Sequence, residues 1–298
     1  MSHKHNCSKK RAVKNIKVAF FLNLFFTVIE FIGGFLTNSI AIMSDALHDL
    51  GDSFSLGMAW FLQKYSYKKK TVLFSYGYKR LSLLGAFLNA VILLVGSLYI
   101  LTKAIPRLIH PEVSDTQGML WLAVLGVIVN GYAVYKTTNG KTMNEKVISL
   151  HLLEDVLSWV AVLIVSLVMM VTDLTILDPI LSILITLYIL RGVVKNLKQT
   201  VLLFLQTVPK NINVGEIEKK LERLEEVIGV HDIHIWSLDG EQNIMSVHIV
   251  VGENSSATEV IVIKNKIRHQ LKEMKIQHVT IEIEFENEQC QDFCLQQG

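Results

Sequence analysis

The stretch Met43-Ser-Asp-Ala-Leu-His-Asp-Leu-Gly-Asp-Ser53 sets Asp45, His48, Asp49 and Asp52 inside a segment that is otherwise apolar from Ile40 to Leu62. On a helix, positions i, i+3, i+4 and i+7 fall on one stripe, so the four ionisable groups share a face. The apolar run is long enough to cross a bilayer, where each Asp at mid-depth costs about 2.5–3.5 kcal/mol. Charges that expensive face a polar cavity and bind something. The competing reading is a buried polar network that only fastens helices together.

A second stretch answers the first. His151-Leu-Leu-Glu-Asp155 lies near the start of the apolar run from Val147 to Val171. His48/Asp52 and His151/Asp155 are both His-x-x-x-Asp pairs, one helical turn apart on their own helices. Two such faces meeting offer two imidazoles and two carboxylates to one centre. That tetrahedral set suits Zn2+ better than hard Mg2+ or Ca2+. Asp45 and Asp49 lack matching partners of this kind and are read as pathway groups.

Working outward, apolar runs recur near residues 16–36, 39–62, 81–105, 118–135, 147–171 and 175–197. Each approaches the ~20 residues that a bilayer core demands. Half the residues are hydrophobic (51%) and only 4 are proline, so the first two thirds read as six membrane-spanning helices. The first run lacks a small-residue cleavage site and is too long for a signal peptide, which makes it a retained span. Lys and Arg cluster in the amino-terminal arm (Lys9, Lys10, Arg11, Lys14, Lys17), between Lys64 and Arg80, between Lys136 and Lys146, and at Arg191, Lys195 and Lys198. The links around Thr37-Asn38 and Thr172-Asp173 have none, and the third has Lys103 and Arg107. By the positive-inside rule both termini are cytoplasmic. The net charge of +2 is therefore topology information, and with no aromatic-interleaved basic patch a nucleic-acid partner is not expected.

Other polar residues carry two readings each. Glu30, in the first run, lines the polar cavity or hydrogen-bonds between helices; Gly33-Gly34 after it lets backbones approach closely. Asn89 and Asn130 are interhelical hydrogen-bonding groups by default, with Asn89 a pathway candidate. Asp178-Pro179 marks the start of the last span. The 3 cysteines, Cys7, Cys290 and Cys294, fall outside the spans in segments assigned to the reducing cytosol, so metal binding is the alternative to a bland tail. His3-Lys-His-Asn-Cys7 has the same two readings, and the link from Lys136 to Lys146 holds no histidine cluster.

After Pro209 the pattern becomes that of a soluble domain. Asn213 to Ile228 reads as an amphipathic helix behind an Asn cap. Val230–Leu238 and Ile244–Val251 alternate as strands around an Asp239-Gly240 turn, Thr258 to Met274 is a second helix, and His278–Phe285 a third strand. The order α-β-β-α-β predicts a small open-faced α/β sandwich with both helices on one side. Parity sends Ile233, Ile235, Val247, Ile249, Val279 and Ile281 under the helices, and His234, Trp236, Ser246, His248, Glu282, Glu284 and Glu286 to the open face. That face is a dimer interface, a second metal site or merely solvated.

With these residues in view, the phrase from Leu36 to Asp52 together with His151-x-x-x-Asp155 resembles the cation diffusion facilitator family of zinc transporters. Tyr78 to Asn89 and His234-Ile-Trp-Ser-Leu238 are also similar to that family, and the likeness runs essentially end to end. The resemblance implies a membrane all-α six-helix bundle over residues 16–207, after an arm at 1–15, and a metallochaperone-like cytoplasmic domain over 208–298. It implies a homodimer that exports Zn2+ from the cytosol in exchange for protons, with His48, Asp52, His151 and Asp155 as the transport site. It further places a regulatory metal at His234, His248 and Glu284 and likens Cys290/Cys294 to a terminal cysteine pair, although the usual Cys-x-x-Cys spacing and histidine-rich loop are absent.

Charge balance agrees with antiport. Two carboxylates and two neutral imidazoles neutralise a bound dication, and emptying the site calls for protons in its place. Imidazoles titrate nearest neutral pH and are the natural acceptors. Cd2+, Co2+, Ni2+ and Fe2+ are alternative cargoes. Outside the family, a metal-dependent intramembrane hydrolase would need a general base such as that of His-Glu-x-x-His, which neither stretch contains. A passive channel or metal sensor would move or sense metal without a proton gradient. The compact, loop-poor chain points to a bacterial cell membrane.

Overall fold

A computed structural model describes residues 20–65, 71–137 and 143–288, with the side chains of 59–60, 62–65, 136–137 and 143–152 excepted. Cys7, Cys290, Cys294, the basic arm and much of the two basic links therefore lie outside the described residues, as does the His151 side chain. The described residues form two compact units. One holds the described residues up to Tyr65 and from Leu84 to Lys198; the other holds those from Thr71 to Leu83 and from Gln199 onward.

Among the described residues, six helices lie wholly or mostly in the first unit: α1 (Phe20–Leu36), α2 (Ile40–Tyr65), α3 (Leu81–Ile109), α4 (Thr116–Thr137), α5 (Met143–Thr172) and α6 (Leu177–Phe204). Four of them, α3 to α6, are long and apolar enough to cross a membrane by length and composition. The described part of α1 is shorter, and α2 carries three aspartates, Asp45, Asp49 and Asp52. Lys103 and Arg107, read as loop residues, belong to α3, which runs on to Ile109.

Small residues set how closely these helices pack. A Cβ on Gly33 would come within 2.5 Å of Leu122 on α4, and one on Gly34 within 2.9 Å of Met43 on α2. Gly126 on α4 admits the indole of Trp159, whose Cδ2 lies 2.2 Å from where a Cβ would stand. Trp159 is fully buried with Ile42, Met119 and Val162 and meets Phe26 edge-on at 6.0 Å between ring centroids. Polar pairs stitch the same seams. Asn23 Nδ2 donates to the Asp49 carbonyl (3.1 Å) and to Ser53 Oγ (3.0 Å), joining α1 to α2.

In the second unit, α7 (Val214–Glu222) starts behind Asn213, whose side chain accepts from the Glu216 N–H, so the expected cap is present. The helix stops at Glu222, short of the expected Ile228. Strands β1 (Gly229–Ser237) and β2 (Asn243–Val251) pair antiparallel, and β3 (Ile276–Phe285) joins β2 in parallel, giving the order β1-β2-β3. Asp239 Oδ1 closes the hairpin by accepting from the N–H groups of Glu241 (3.0 Å) and Gln242 (2.8 Å), and Gly240 supplies a φ of 93°. Helix α8 (Ala257–Glu273) opens with a capping box between Ser256 and Glu259. Ile217 and Leu221 on α7 and Ile263, Ile267 and Leu271 on α8 recur every fourth residue and bury one face of the sheet.

The connection before α3 packs within this unit. Lys79 Nζ donates to Gln242 Oε1, and the Tyr76 ring meets His278 edge-on at 6.1 Å between centroids. The described part of this basic link is a contact of the tail domain.

Candidate functional site

The quoted stretch lies wholly in α2, where helical spacing stacks its polar groups on one side. His48 Nε2 and Asp52 Oδ2 stand 3.7 Å apart, both side chains partly buried. Two donors on one tetrahedral zinc are separated by roughly 3.3 Å, so this turn needs little adjustment to grip an ion. Asp45 and Asp49 are buried beside them.

Helix α5 crosses α2 at an identifiable point. Ser158 Oγ donates to Asp45 Oδ1, a bond between the two helices. Ile42, one turn before Asp45, packs with Trp159 and Val162, one residue and one turn beyond Ser158. The two helices therefore run antiparallel through the crossing. Asp155 is half-buried one turn before Ser158 and lies within electrostatic range of both Asp45 and Asp49. His151 belongs to the same helix, one turn before Asp155.

The pathway candidates divide. Glu30, 1% exposed, sits on α1 next to the Asp49 carboxylate, inside the polar seam that Asn23, Thr27 and Ser53 build between α1 and α2. Asn89 Nδ2 donates to Ser55 Oγ at 2.9 Å, a bond between α3 and α2, which is its default interhelical role.

A second constellation lies on the open face of the sheet, and it includes a residue that the sequence reading did not single out. His248 Nδ1 and Glu284 Oε1 are 2.6 Å apart, a diagonal contact from β2 to β3, where Glu282 is the register partner of His248 and Glu284 that of Val250. Among the described residues His231 stands with this pair: His231 Nε2 lies 3.2 Å from Glu284 Oε2, and ligand atoms of His231, His248 and Glu284 all fall within 4.8 Å of one another. His234 is 53% exposed and pairs with Asp232 Oδ1 at 2.9 Å, while the other oxygen, Asp232 Oδ2, lies 3.4 Å from His248 Nε2.

The cause is a β-bulge. His231 pairs with His248 and His234 with Ser246, three residues on β1 against two on β2, and Asp232 takes a φ of 49° at the irregularity. Strict alternation back from Ile235 would put His231 under the helices; the extra residue turns it outward and leaves Val230 inside. Asp tolerates this left-handed conformation better than most residues, which is the only sequence signal the bulge leaves.

Known proteins resemble the whole chain. Residues 16–205 match the family described as cation efflux transmembrane domain, and residues 209–286 match the cation efflux protein, cytoplasmic domain. A Bacillus velezensis protein named cadmium, cobalt and zinc/H(+)-K(+) antiporter is 34% identical over 95% of this chain and 92% of its own length. The Escherichia coli zinc transporter ZitB is 31% identical over 96% of this chain and 92% of its own. The Cupriavidus metallidurans metal cation efflux system protein CzcD is 31% identical over 95% and 89%. These likenesses set aside the hydrolase reading, because the family consists of transporters and not of enzymes. The chain belongs to the cation efflux, or cation diffusion facilitator, family of integral membrane transporters.

Proposed function

We propose that the protein is a Zn2+/H+ antiporter that exports zinc from the cytosol by alternating access, with His48, Asp52, His151 and Asp155 as the transport site. The observation that carries this reading is the Asp45–Ser158 bond in a chain of this family. From that bond, three residues along each antiparallel helix bring His48 level with Asp155, and seven bring Asp52 level with His151. At 1.5 Å rise per residue the two pairs then span about 6 Å of seam, one helical turn on each side. Two imidazoles and two carboxylates at that level suit a borderline dication. The bond itself sits one turn to one side of the quartet, where it closes the seam between α2 and α5.

Bound zinc balances the two carboxylates, so leaving metal makes way for protons and the exchange needs no separate coupling device. The helix order supports six spans with both termini in the cytosol, and the names of the bacterial relatives support a bacterial cell membrane. The described family of the tail domain supports a homodimer, and His231, His248 and Glu284 are read as its metal-responsive site. Cadmium and cobalt are the competing cargoes, and potassium a competing counter-ion, because the Bacillus relative is named for them.

Inverted membrane vesicles test the proposal. Zinc uptake should follow an imposed proton gradient and stop when the gradient is collapsed. Uptake indifferent to that gradient would indicate a channel, and uptake driven only by potassium would change the counter-ion.

A further inference from the structure

Asp178, whose neighbour Pro179 the sequence reading used only to mark a helix start, is completely buried at the beginning of α6. Its carboxylate reaches the first turn of α2. Ser39 Oγ donates to Asp178 Oδ1 (2.5 Å), the Ile40 N–H to Oδ2 (2.8 Å) and the Ala41 N–H to Oδ1 (3.3 Å). The first N–H groups of a helix lack intrahelical acceptors, and the helix dipole favours an anion there. Ser39 serves the Ile42 N–H at 3.2 Å, so the remaining donors of α2 are satisfied from another helix.

The link continues inward. Ser44 Oγ and Thr186 Oγ1, both buried, are 2.8 Å apart, and Ile183 packs against the cluster containing Ile40 and Leu47. The first turns of α2 are thus fastened to α6 by a carboxylate, a hydroxyl pair and apolar packing. His48 lies seven residues beyond Ala41, about 10 Å along a continuous helix. A helix that short transmits an axial shift at its start to His48 and Asp52 without much loss.

We propose that Asp178 is a positioning residue for metal selection: it fixes the height of α2 on α6, and with it the height of His48 and Asp52 against the ligands of α5. The inference rests on the transport-site reading given above. Metal sites have to be held to about half an ångström, and groups that orient ligands typically change metal affinity by ten- to a hundredfold when removed. A smaller ion such as Zn2+ is less forgiving of displaced ligands than the larger Cd2+.

The test uses the purified full-length protein in proteoliposomes, with zinc and cadmium transport measured separately and normalised to folded protein. Asp178→Asn keeps the shape but turns an amide donor toward backbone donors. Its KM for Zn2+ should rise about tenfold, with a smaller rise for Cd2+, so that the Zn2+/Cd2+ preference shifts. A purely structural role would lower the folded yield while KM and the preference stay as in the wild type, and that result overturns the inference. Should Asp178→Asn not fold, Ser39→Ala decides in the same assay, since it removes one bond to the carboxylate: a shifted preference supports positioning, an unchanged one refutes it. Asp52→Ala separates the two readings. If it still transports, the quartet itself is wrong; if it is dead while Asp178→Asn behaves as wild type, only the positioning role fails.

Discussion

Replacing Ser158 by alanine removes the one described hydrogen bond by which α5 holds the buried carboxylate of Asp45. Hydrogen bonds to charged groups contribute about 1.5–3 kcal/mol, and Asp45 would keep its full desolvation penalty after the donor is gone. Because the bond joins two helices, its loss falls on the closed arrangement of the α2–α5 seam and not on either helix alone. At about 1.4 kcal/mol per factor of ten, the seam should open roughly 10- to 150-fold more often. Hydrogen–deuterium exchange of full-length protein reads this directly, as faster exchange in peptides covering residues 40–52 and 153–162. Adding Asp45→Asn measures the coupling: if the bond is the cause, the double variant exchanges little faster than the faster single one. Exchange in both helices as slow as in the wild type, with additive single variants, would refute the crossing as the closing element.

Three further outcomes follow from the geometry. His231→Ala and His248→Ala should each remove metal bound to the tail domain in the full-length protein, whereas His234→Ala, at the exposed end of the cluster, should leave most of it; equilibrium titration in an Asp52→Ala background isolates that site. Gly126→Ala forces a methyl into the Trp159 ring and should destabilise the helical unit by about 1–3 kcal/mol, seen as a lower unfolding temperature. Ser256→Ala should lower the unfolding temperature of the tail domain at neutral pH. The Ser256 backbone N–H and hydroxyl hold the Glu259 carboxyl below its usual range, so this contribution is present above the ordinary carboxylate pKa and lost as pH falls through the lowered value. The difference between variant and wild type should therefore narrow in acid.

Much of this architecture is legible in the sequence because it depends on local periodicity. The apolar runs mark α2 to α6, the Asn213 cap marks α7, and the Asp239-Gly240 turn marks the hairpin. The pairing of His48 with Asp52 follows from helical spacing alone. What escaped the sequence was set by single backbone angles or by distant contacts. The left-handed Asp232 shifts the parity of the start of β1 and so brings His231 to the open face beside His248 and Glu284. Asp178 caps a helix that begins 138 positions earlier in the chain, a relation no local pattern encodes. The contacts of the basic link before α3 could not be read locally, because its partners, Gln242 and His278, belong to a domain far along the chain.

Locating zinc in the transport domain tests the central claim most directly. Crystals or grids of zinc-loaded protein should show one ion in the α2–α5 seam with His48, Asp52, His151 and Asp155 each at about 2.0–2.2 Å, and the ion should vanish in Asp52→Ala. An ion held elsewhere, or one that keeps its place when Asp52 is removed, would contradict the account.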